Sequence, residues 1–161
     1  MQAGGRVRAG TGESSAGLEL RGSRQILGVP PAVLLVIACG GMLGALARYG
    51  LAVLWPHRGT AFPWATFTAN VVGCLLIGAL MVLITEAFVA HRLVRPFLGV
   101  GVLGGFTTYS TYAVEAQQLI EDGAAGRAFT YIFATLVAAL IAVVIGMATT
   151  RLLTRALRKG S

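Results

Sequence analysis

Charged residues are scarce in this sequence. Only 12% of its 161 residues are Asp, Glu, Lys or Arg, and six of these are acidic. Soluble domains carry about 25% charged residues. Hydrophobic residues make up 56% of the chain and the mean hydropathy is +0.77. The composition therefore indicates a membrane protein. A helix that spans a bilayer needs about 20 apolar residues, so the chain has room for four spans and short loops.

Residues that carry chemistry are also few. The two cysteines, Cys39 and Cys74, lie inside apolar runs, where buried structural thiols are expected. The two histidines, His57 and His91, lie in different loops and have no pattern of metal ligands around them. The glycine-rich run at residues 101–105 lacks the Gly-Lys-Ser/Thr ending of a phosphate-binding loop. We predict that the chain is not an enzyme. Its net charge of +7 comes mainly from tails and loops, so no nucleic-acid partner is expected.

Apolar runs predict an all-α membrane protein with four transmembrane helices. The chain is predicted to divide into a disordered basic Gly/Ser-rich N-terminal tail at 1–30, a four-helix transmembrane subunit at 31–151 and a basic cytoplasmic tail at 152–161. A secretory signal peptide cleaved near Ala45-Leu46-Ala47 is the alternative for the first segment. No internal repeat is evident, so a symmetric pore requires a second chain. The predicted spans are about Ala32–Leu54, Trp64–Glu86, Pro96–Leu119 and Ala128–Thr150.

Basic residues are concentrated on one side of the predicted bundle. Ten lie in the two tails and in the loop between the second and third spans, whereas Arg58 and Arg127 lie on the opposite side. Orientation follows the Lys/Arg bias, so both termini are predicted to be cytoplasmic. The ten are Arg6, Arg8, Arg21, Arg24, Arg92, Arg95, Arg151, Arg155, Arg158 and Lys159.

The third span contains an unusual stretch, Gly101–Tyr112. It has three glycines within five residues, and six hydroxyl-bearing residues follow Phe106. This pattern predicts a helix broken at Gly104-Gly105, in the middle of the membrane. Freed carbonyls could coordinate Na⁺, while hydroxyls and half-helix N-termini favour an anion. The alternative is that the hydroxyls bond the backbone and the aromatic rings pack.

Three polar residues lie within spans or at their ends, and two of them have two interpretations each. Asn70 either forms a hydrogen bond between helices or is a donor that faces a pore. Arg48 either reaches the membrane interface, or contacts carbonyls or forms a vestibule charge. For Glu115, a carboxylate at the membrane edge is favoured.

Three blocks in this order closely resemble the Fluc/CrcB family of bacterial fluoride-specific ion channels, over about residues 33–150. They are Gly40-Gly41-x-x-Gly44-Ala45-x-x-Arg48-Tyr49, then Thr66-Phe67-x-x-Asn70-x-x-Gly73-Cys74, then Gly101-x-x-Gly104-Gly105-Phe106-Thr107-Thr108-Tyr109-Ser110-Thr111-Tyr112.

The resemblance implies four-helix subunits that pair as an antiparallel dimer in the bacterial inner (cell) membrane and export fluoride passively, which lowers fluoride toxicity. It implies a structural Na⁺ that is not transported, held by the main-chain carbonyls of Gly104 and Thr107. It also places Arg48 near the vestibule. The implied fluoride path comprises Asn70, Thr68, Tyr109, Ser110, Thr111 and Tyr112.

Two features depart from the family pattern. Tyr109 and Tyr112 stand where the family usually has Phe, and each hydroxyl could donate to fluoride or block its path. The strong charge bias favours a heterodimer with an oppositely oriented paralogue over a homodimer. The alternative functions are a small proton-coupled multidrug-type transporter and a non-conducting partner subunit of a heterodimeric fluoride channel.

Overall fold

The computed structural model describes residues 29–87 and 92–159, apart from the side chains of residues 87, 158 and 159. All regular structure in these ranges is helical. Most of the tail predicted to be disordered, residues 1–28, lies outside the described residues, as do His91 and residues 160 and 161.

Five helices follow one another in the part of the chain that the structure describes. They are α1 (Pro31–Leu54), α2 (Trp64–Val82), α3 (Arg95–Leu103 with Gly104–Phe106), α4 (Tyr109–Glu121) and α5 (Ala125–Lys159). After Val82, α2 continues as a π-helix over Leu83–Ala87. α3 is a π-helix over Arg95–Leu103 and ends in one α-helical turn at Gly104–Phe106.

Proline and glycine mark several helix boundaries. Pro31 is the first residue of α1, and Pro63 immediately precedes α2, positions that proline's fixed φ suits. After α4 the chain turns at Gly123, whose φ of +76° is the left-handed conformation that glycine adopts most readily. Gly123 therefore marks the end of α4.

Three helical stretches in the described residues are long and apolar enough to cross a membrane. They are Pro31–Leu54, Trp64–Glu86 and Ala125–Leu157. Their apolar side chains are largely exposed, as at Leu35 and Leu140, which suits contact with lipid. The prediction of an all-helical membrane protein is confirmed. The segment from 95 to 121 is also helical, but in two shorter pieces.

The third segment is broken at Thr107 and Thr108 rather than at Gly104 and Gly105. Gly104 keeps helical dihedral angles (φ −66°, ψ −34°), whereas Thr107 is extended (φ −80°, ψ 156°). Thr108 is extended too (φ −151°, ψ 125°). The predicted position of the break was wrong: both glycines are helical, and Gly105 has another role.

That role is the close approach of α1 and α3. A Cβ atom added at Gly44 would collide with the carbonyl oxygen of Val102, and one added at Gly105 would collide with that of Gly41. Helices without side chains at the contact can bring their backbones together, as small residues do in membrane proteins. The α1–α3 contact therefore positions the break beside the C-terminal half of α1.

Candidate ion site at the helix break

The hydroxyl groups of Thr107 and Thr108 bond the ends of both helices at the break. Thr107 Oγ1 donates to the Leu103 carbonyl at 2.9 Å, and Thr108 Oγ1 accepts from the Thr111 amide at 3.1 Å. A helix end inside a membrane has no water to satisfy its backbone. Part of the hydroxyl run therefore bonds the backbone, as the second of the two interpretations expected.

Asn70 on α2 bonds the backbone of Thr108 on both sides. Its Oδ1 accepts from the Thr108 amide at 2.8 Å, and its Nδ2 donates to the Thr108 carbonyl at 3.0 Å. The predicted hydrogen bond between segments is present. One N–H of the side-chain amide remains for another acceptor, because an amide nitrogen carries two donors. Asn70 therefore stabilises the extended backbone at Thr108 and retains one side-chain N–H donor.

Two carbonyl groups lose their usual helical donors at the break. In a continuous helix, Gly104 would accept from the Thr108 amide and Thr107 from the Thr111 amide. The Thr108 amide donates instead to Asn70, and the Thr111 amide donates to the Thr108 hydroxyl. These are the two carbonyls that the family resemblance assigns to Na⁺. Main-chain carbonyls freed at broken helices are suitable Na⁺ ligands, so the residues present fit the ion.

Arg48 near the end of α1 satisfies another carbonyl at the same place. Its Nε donates to the Gly105 carbonyl at 3.2 Å. Gly105 lies four residues before Tyr109, the first residue of α4, so its usual helical donor is displaced as well. The structure agrees with the interpretation in which the Arg48 side chain contacts a carbonyl.

A cavity of about 370 Å³ lies beside the break, and we call it the inner cavity. It brings together three of the six predicted path residues, Asn70, Tyr109 and Tyr112. The remaining walls come from the threonines of the break and from α2 and α5. Its full lining is Asn70, Cys74, Ile77, Thr107, Thr108, Tyr109, Tyr112, Thr135, Leu136 and Ala139.

The two tyrosines of α4 differ in what their hydroxyls contact. Their ring centroids are 5.9 Å apart. The Tyr112 hydroxyl donates to the Ile132 carbonyl of α5 at 3.2 Å, so it is engaged with a helix backbone. Tyr109 is 80% exposed on the surface of the chain. The additional hydroxyl of Tyr112 is therefore directed to α5.

A second cavity of about 250 Å³ contains the charged groups nearest the break, and we call it the outer cavity. Arg48 and Glu115 both line it, as does His57, whose Nδ1 is buried with no hydrogen-bond partner in the described structure. Its full lining is Ala45, Arg48, Tyr49, Ala52, Trp55, His57, Ala65, Thr66, Thr111 and Glu115.

The other three predicted path residues are less closely grouped. Thr111 lines the outer cavity. Ser110 is exposed, with its hydroxyl 3.3 Å from that of Thr108. Thr68 is half-buried on α2 and lines neither the inner nor the outer cavity.

Glu115 joins three helices, a role that sequence reasoning missed. Its two carboxylate oxygens accept from the hydroxyls of Thr66 on α2 and Tyr131 on α5, each at 2.8 Å. Tyr131 is fully buried and Thr66 nearly so. Glu115 is thus bonded within the bundle, and its place at the membrane edge stays a prediction. The sequence carried no signal for these bonds, because Thr66, Glu115 and Tyr131 lie on three separate helices.

Comparison with known proteins identifies relatives over most of the chain. A sequence model of the family described as "CrcB-like protein, Camphor Resistance (CrcB)" matches residues 35–147. This range contains the helix break, the residues that line both cavities, and Arg48 and Asn70, which form hydrogen bonds to the backbone at the break.

Individual relatives carry a functional name. The chain is 54% identical over 129 residues to fluoride-specific ion channel FluC 2 of Nocardia farcinica, which covers 80% of this chain and 92% of that protein. It is 55% identical over 111 residues to fluoride-specific ion channel FluC 1 of Streptomyces coelicolor, covering 69% and 72% respectively. It is 44% identical over 115 residues to fluoride-specific ion channel FluC of Agrobacterium fabrum, covering 70% and 91%.

Proposed function

The chain belongs to the CrcB-like family, and from that premise we propose that it conducts fluoride across a membrane. Fluoride leaves the cytoplasm by passive permeation, which lowers its toxicity. The observation that carries this proposal is the 54% identity to a protein named as a fluoride-specific ion channel, over 92% of that protein's length. Such permeation requires no catalysis, so the chain acts as a channel rather than as an enzyme.

The geometry of the break supports a small anion. The inner cavity is lined by neutral polar residues, including Asn70, whose amide has a second N–H donor, and by Tyr109 and Tyr112, whose ring edges carry partial positive charge. Neutral donors replace the water around an ion without trapping it, which permits both entry and release. The proposed path comprises Asn70, Thr68, Tyr109, Ser110, Thr111 and Tyr112.

Arg48 is the proposed vestibule residue. It lines the outer cavity, and its bond to the Gly105 carbonyl fixes a positive charge next to the break. A fixed charge of this sign raises the local concentration of an anion before it enters a narrower path.

A structural Na⁺ is proposed at the carbonyls of Gly104 and Thr107. The ion would supply a fixed positive charge there without being transported. Support comes from the diversion of both amide donors at the break. If the proposal holds, the melting temperature rises with Na⁺ but not with N-methylglucamine at equal ionic strength. Equal melting temperatures in the two salts would count against it.

Two subunits are proposed to form the channel as an antiparallel dimer, each with four spans. Three spans are formed by α1, α2 and α5, and the broken third segment, α3 and α4 together, forms the remaining one. Tyr109 and Ser110 support this assembly, because both are exposed although they lie at the break of a membrane segment. A second subunit would cover these polar side chains, which are costly to expose to lipid.

The proposed partner is an oppositely oriented paralogue, with a homodimer as the other possibility. Ten basic residues on one side against two on the other favour a single orientation, with both termini cytoplasmic. Numbered relatives within one species support the existence of paralogues, since Streptomyces avermitilis has fluoride-specific ion channels named FluC 2 and FluC 3. The proposed location is the bacterial inner membrane.

The comparisons do not favour a proton-coupled multidrug-type transporter. That function requires a titratable carboxylate in an early span. Glu86, at the end of the second span, forms an ion pair with Arg151 at 2.7 Å. The non-conducting partner subunit is likewise not favoured by the names of the relatives.

Fluoride efflux from proteoliposomes tests the proposed function. We expect efflux without a proton gradient, and its loss in Asn70→Asp, because the aspartate cannot donate to the Thr108 carbonyl and adds a negative charge to the path. The matched control is Thr85→Val, which removes a hydroxyl that bonds the Met81 carbonyl of its own helix. Absence of fluoride efflux from the folded wild-type chain, alone and with an added paralogue, would contradict the proposal.

A further inference from the structure

The outer cavity contains a histidine nitrogen that has no partner. His57 lies in the segment between α1 and α2, and its Nδ1 is buried without a hydrogen bond in the described part of the chain. A buried polar atom in this state is costly, and the great majority of such atoms in proteins are paired. The cavity that His57 lines, of about 250 Å³, is far larger than a single water molecule needs. The unpaired nitrogen therefore indicates a ligand in this space.

Contacts with α5 hold the segment that carries His57. Arg127 of α5 donates a hydrogen bond to the carbonyl of Thr60. The ring of Phe62 contacts the ring of the buried Tyr131, with the centroids 5.3 Å apart and the planes nearly perpendicular. Edge-to-face packing of this kind is favourable for aromatic rings. The position of His57 is consequently supported by the bundle and not only by the local sequence.

Two other groups present hydrogen-bond donors to the outer cavity. Arg48 uses its Nε for the Gly105 carbonyl, and it makes no other hydrogen bond within the described residues, so its two Nη atoms keep their N–H groups. The hydroxyl of Thr111 accepts from the hydroxyl of Thr108 at 3.1 Å, which leaves its own proton to donate. Donors from three different parts of the chain therefore line one cavity.

The protonation of His57 decides the net charge of the outer cavity. Arg48 contributes a positive charge and Glu115 a negative one, and these two cancel. The residues that α2 contributes to the lining do not titrate. Histidine is the side chain that gains a proton between pH 8 and pH 5, whereas tyrosine and arginine keep their charge in that range. The other titratable residues on the lining or near this segment are of these two types: Tyr49, Arg58 and Arg127.

We propose that protonation of His57 makes the outer cavity a binding site for a small inorganic anion. The anion lies between the imidazolium of His57 and the guanidinium of Arg48, with the hydroxyl of Thr111 as a further donor. One added positive charge at about 4 Å strengthens anion binding at least about fivefold, even at the dielectric constant of water. The affinity for the anion therefore rises as the pH falls. The proposal extends the vestibule role of Arg48, and it rests on the proposed function only for the identity of the anion as fluoride.

The test uses iodide, a small anion that quenches tryptophan fluorescence on contact. Trp55 lines the outer cavity, and Trp64 is the only other tryptophan of the chain. In the full-length Trp64→Phe variant, iodide replaces gluconate at constant ionic strength. The iodide concentration for half-maximal quenching is expected to fall at least about fivefold between about pH 8 and about pH 5.5. Added fluoride is expected to reverse the quenching, because it competes for the same site.

Two variants of His57 separate its charge from its shape, each in the Trp64→Phe background. His57→Asn places an N–H donor close to the position of Nδ1 but takes up no proton, so its quenching should be the same at both pH values. His57→Leu has the branched shape of Asn without polar atoms and should bind iodide most weakly. The matched control is His91→Leu, which removes the other histidine of the chain and should keep the pH dependence.

Three results would overturn the proposal: equal quenching at both pH values in the Trp64→Phe chain, a pH dependence that survives in His57→Leu, or its loss in His91→Leu. Circular dichroism and gel filtration check folding, and the two His57 variants are independent tests if one of them does not fold. Quenching that depends on His57 without fluoride efflux would count against the proposed function alone. Fluoride efflux without such quenching would count against this site alone.

Discussion

At the scale of single residues, Glu115 is the least expected group in the bundle. A carboxylate within a membrane helix is costly unless donors surround it. Thr66 and Tyr131 provide those donors from two other helices. Both donors are buried, so loss of the carboxylate would remove a hydrogen bond from each in a place that water does not reach. Glu115 therefore connects α2, α4 and α5 through hydrogen bonds that lipid cannot replace.

Tyr131→Phe removes one of these bonds with little change in shape. We expect the variant to lose about 1–3 kcal/mol of stability, because one oxygen of Glu115 then lacks its donor. Thermal unfolding in detergent measures the change. Tyr49→Phe is the matched control, since Tyr49 is 67% exposed. Equal melting temperatures for wild type and Tyr131→Phe would show that this bond contributes nothing.

At the scale of elements, glycines determine how closely the helices approach. α1 meets α3 at Gly44 and Gly105, and α2 meets α5 at Gly78 and Gly146, each time with a backbone atom where a Cβ would lie. In lipid there is little hydrophobic gain from bringing helices together, so close backbone packing has to supply the attraction. These contacts position the break and its carbonyls.

Gly44→Ala tests the α1–α3 contact. The new methyl group would collide with the Val102 carbonyl, so we expect a loss of several kcal/mol or failure to fold, together with loss of fluoride efflux. Gly50→Ala on the same helix is the control, because nothing lies within 4 Å of its added Cβ. Alanine there should be neutral or stabilising by about 1 kcal/mol. Similar melting temperatures for the two variants would contradict this account.

The spans could be predicted from the sequence because each depends on a local property, the length of an apolar run. The predicted start of the second span at Trp64 and end of the first at Leu54 agree with the structure. The position of the break could not be predicted, because glycine either interrupts a helix or admits a neighbour, and the sequence does not say which. The partners of Glu115 depend on packing between distant segments.

At the scale of the whole molecule, the chain exposes polar groups where a membrane protein should present apolar ones. Tyr109 and Ser110 are exposed beside the helix break. Such a surface requires a cover, and the proposed cover is a second subunit. In the proposed antiparallel assembly, the charge bias favours a partner chain of the opposite orientation, because Lys/Arg bias sets how a chain inserts.

Expression of the chain alone and with an oppositely biased paralogue tests this assembly. We expect high fluoride efflux only from the mixed preparation, with both chains recovered in one complex after purification through a tag on either chain. Cross-linking between engineered cysteines at Ser110 of two copies provides the comparison. Efficient cross-linking and efflux from the chain alone would establish a homodimer and refute the heterodimer.

The bonds that open the third segment impose an order on biosynthesis. Arg48 and Asn70, which bond the backbone of Gly105 and Thr108, both precede these residues in the chain. A ribosome delivers α1 and α2 to the membrane first. The groups that bond the backbone at the break are therefore already in place when the break is synthesised. We expect insertion of the third segment to depend on the two helices that precede it.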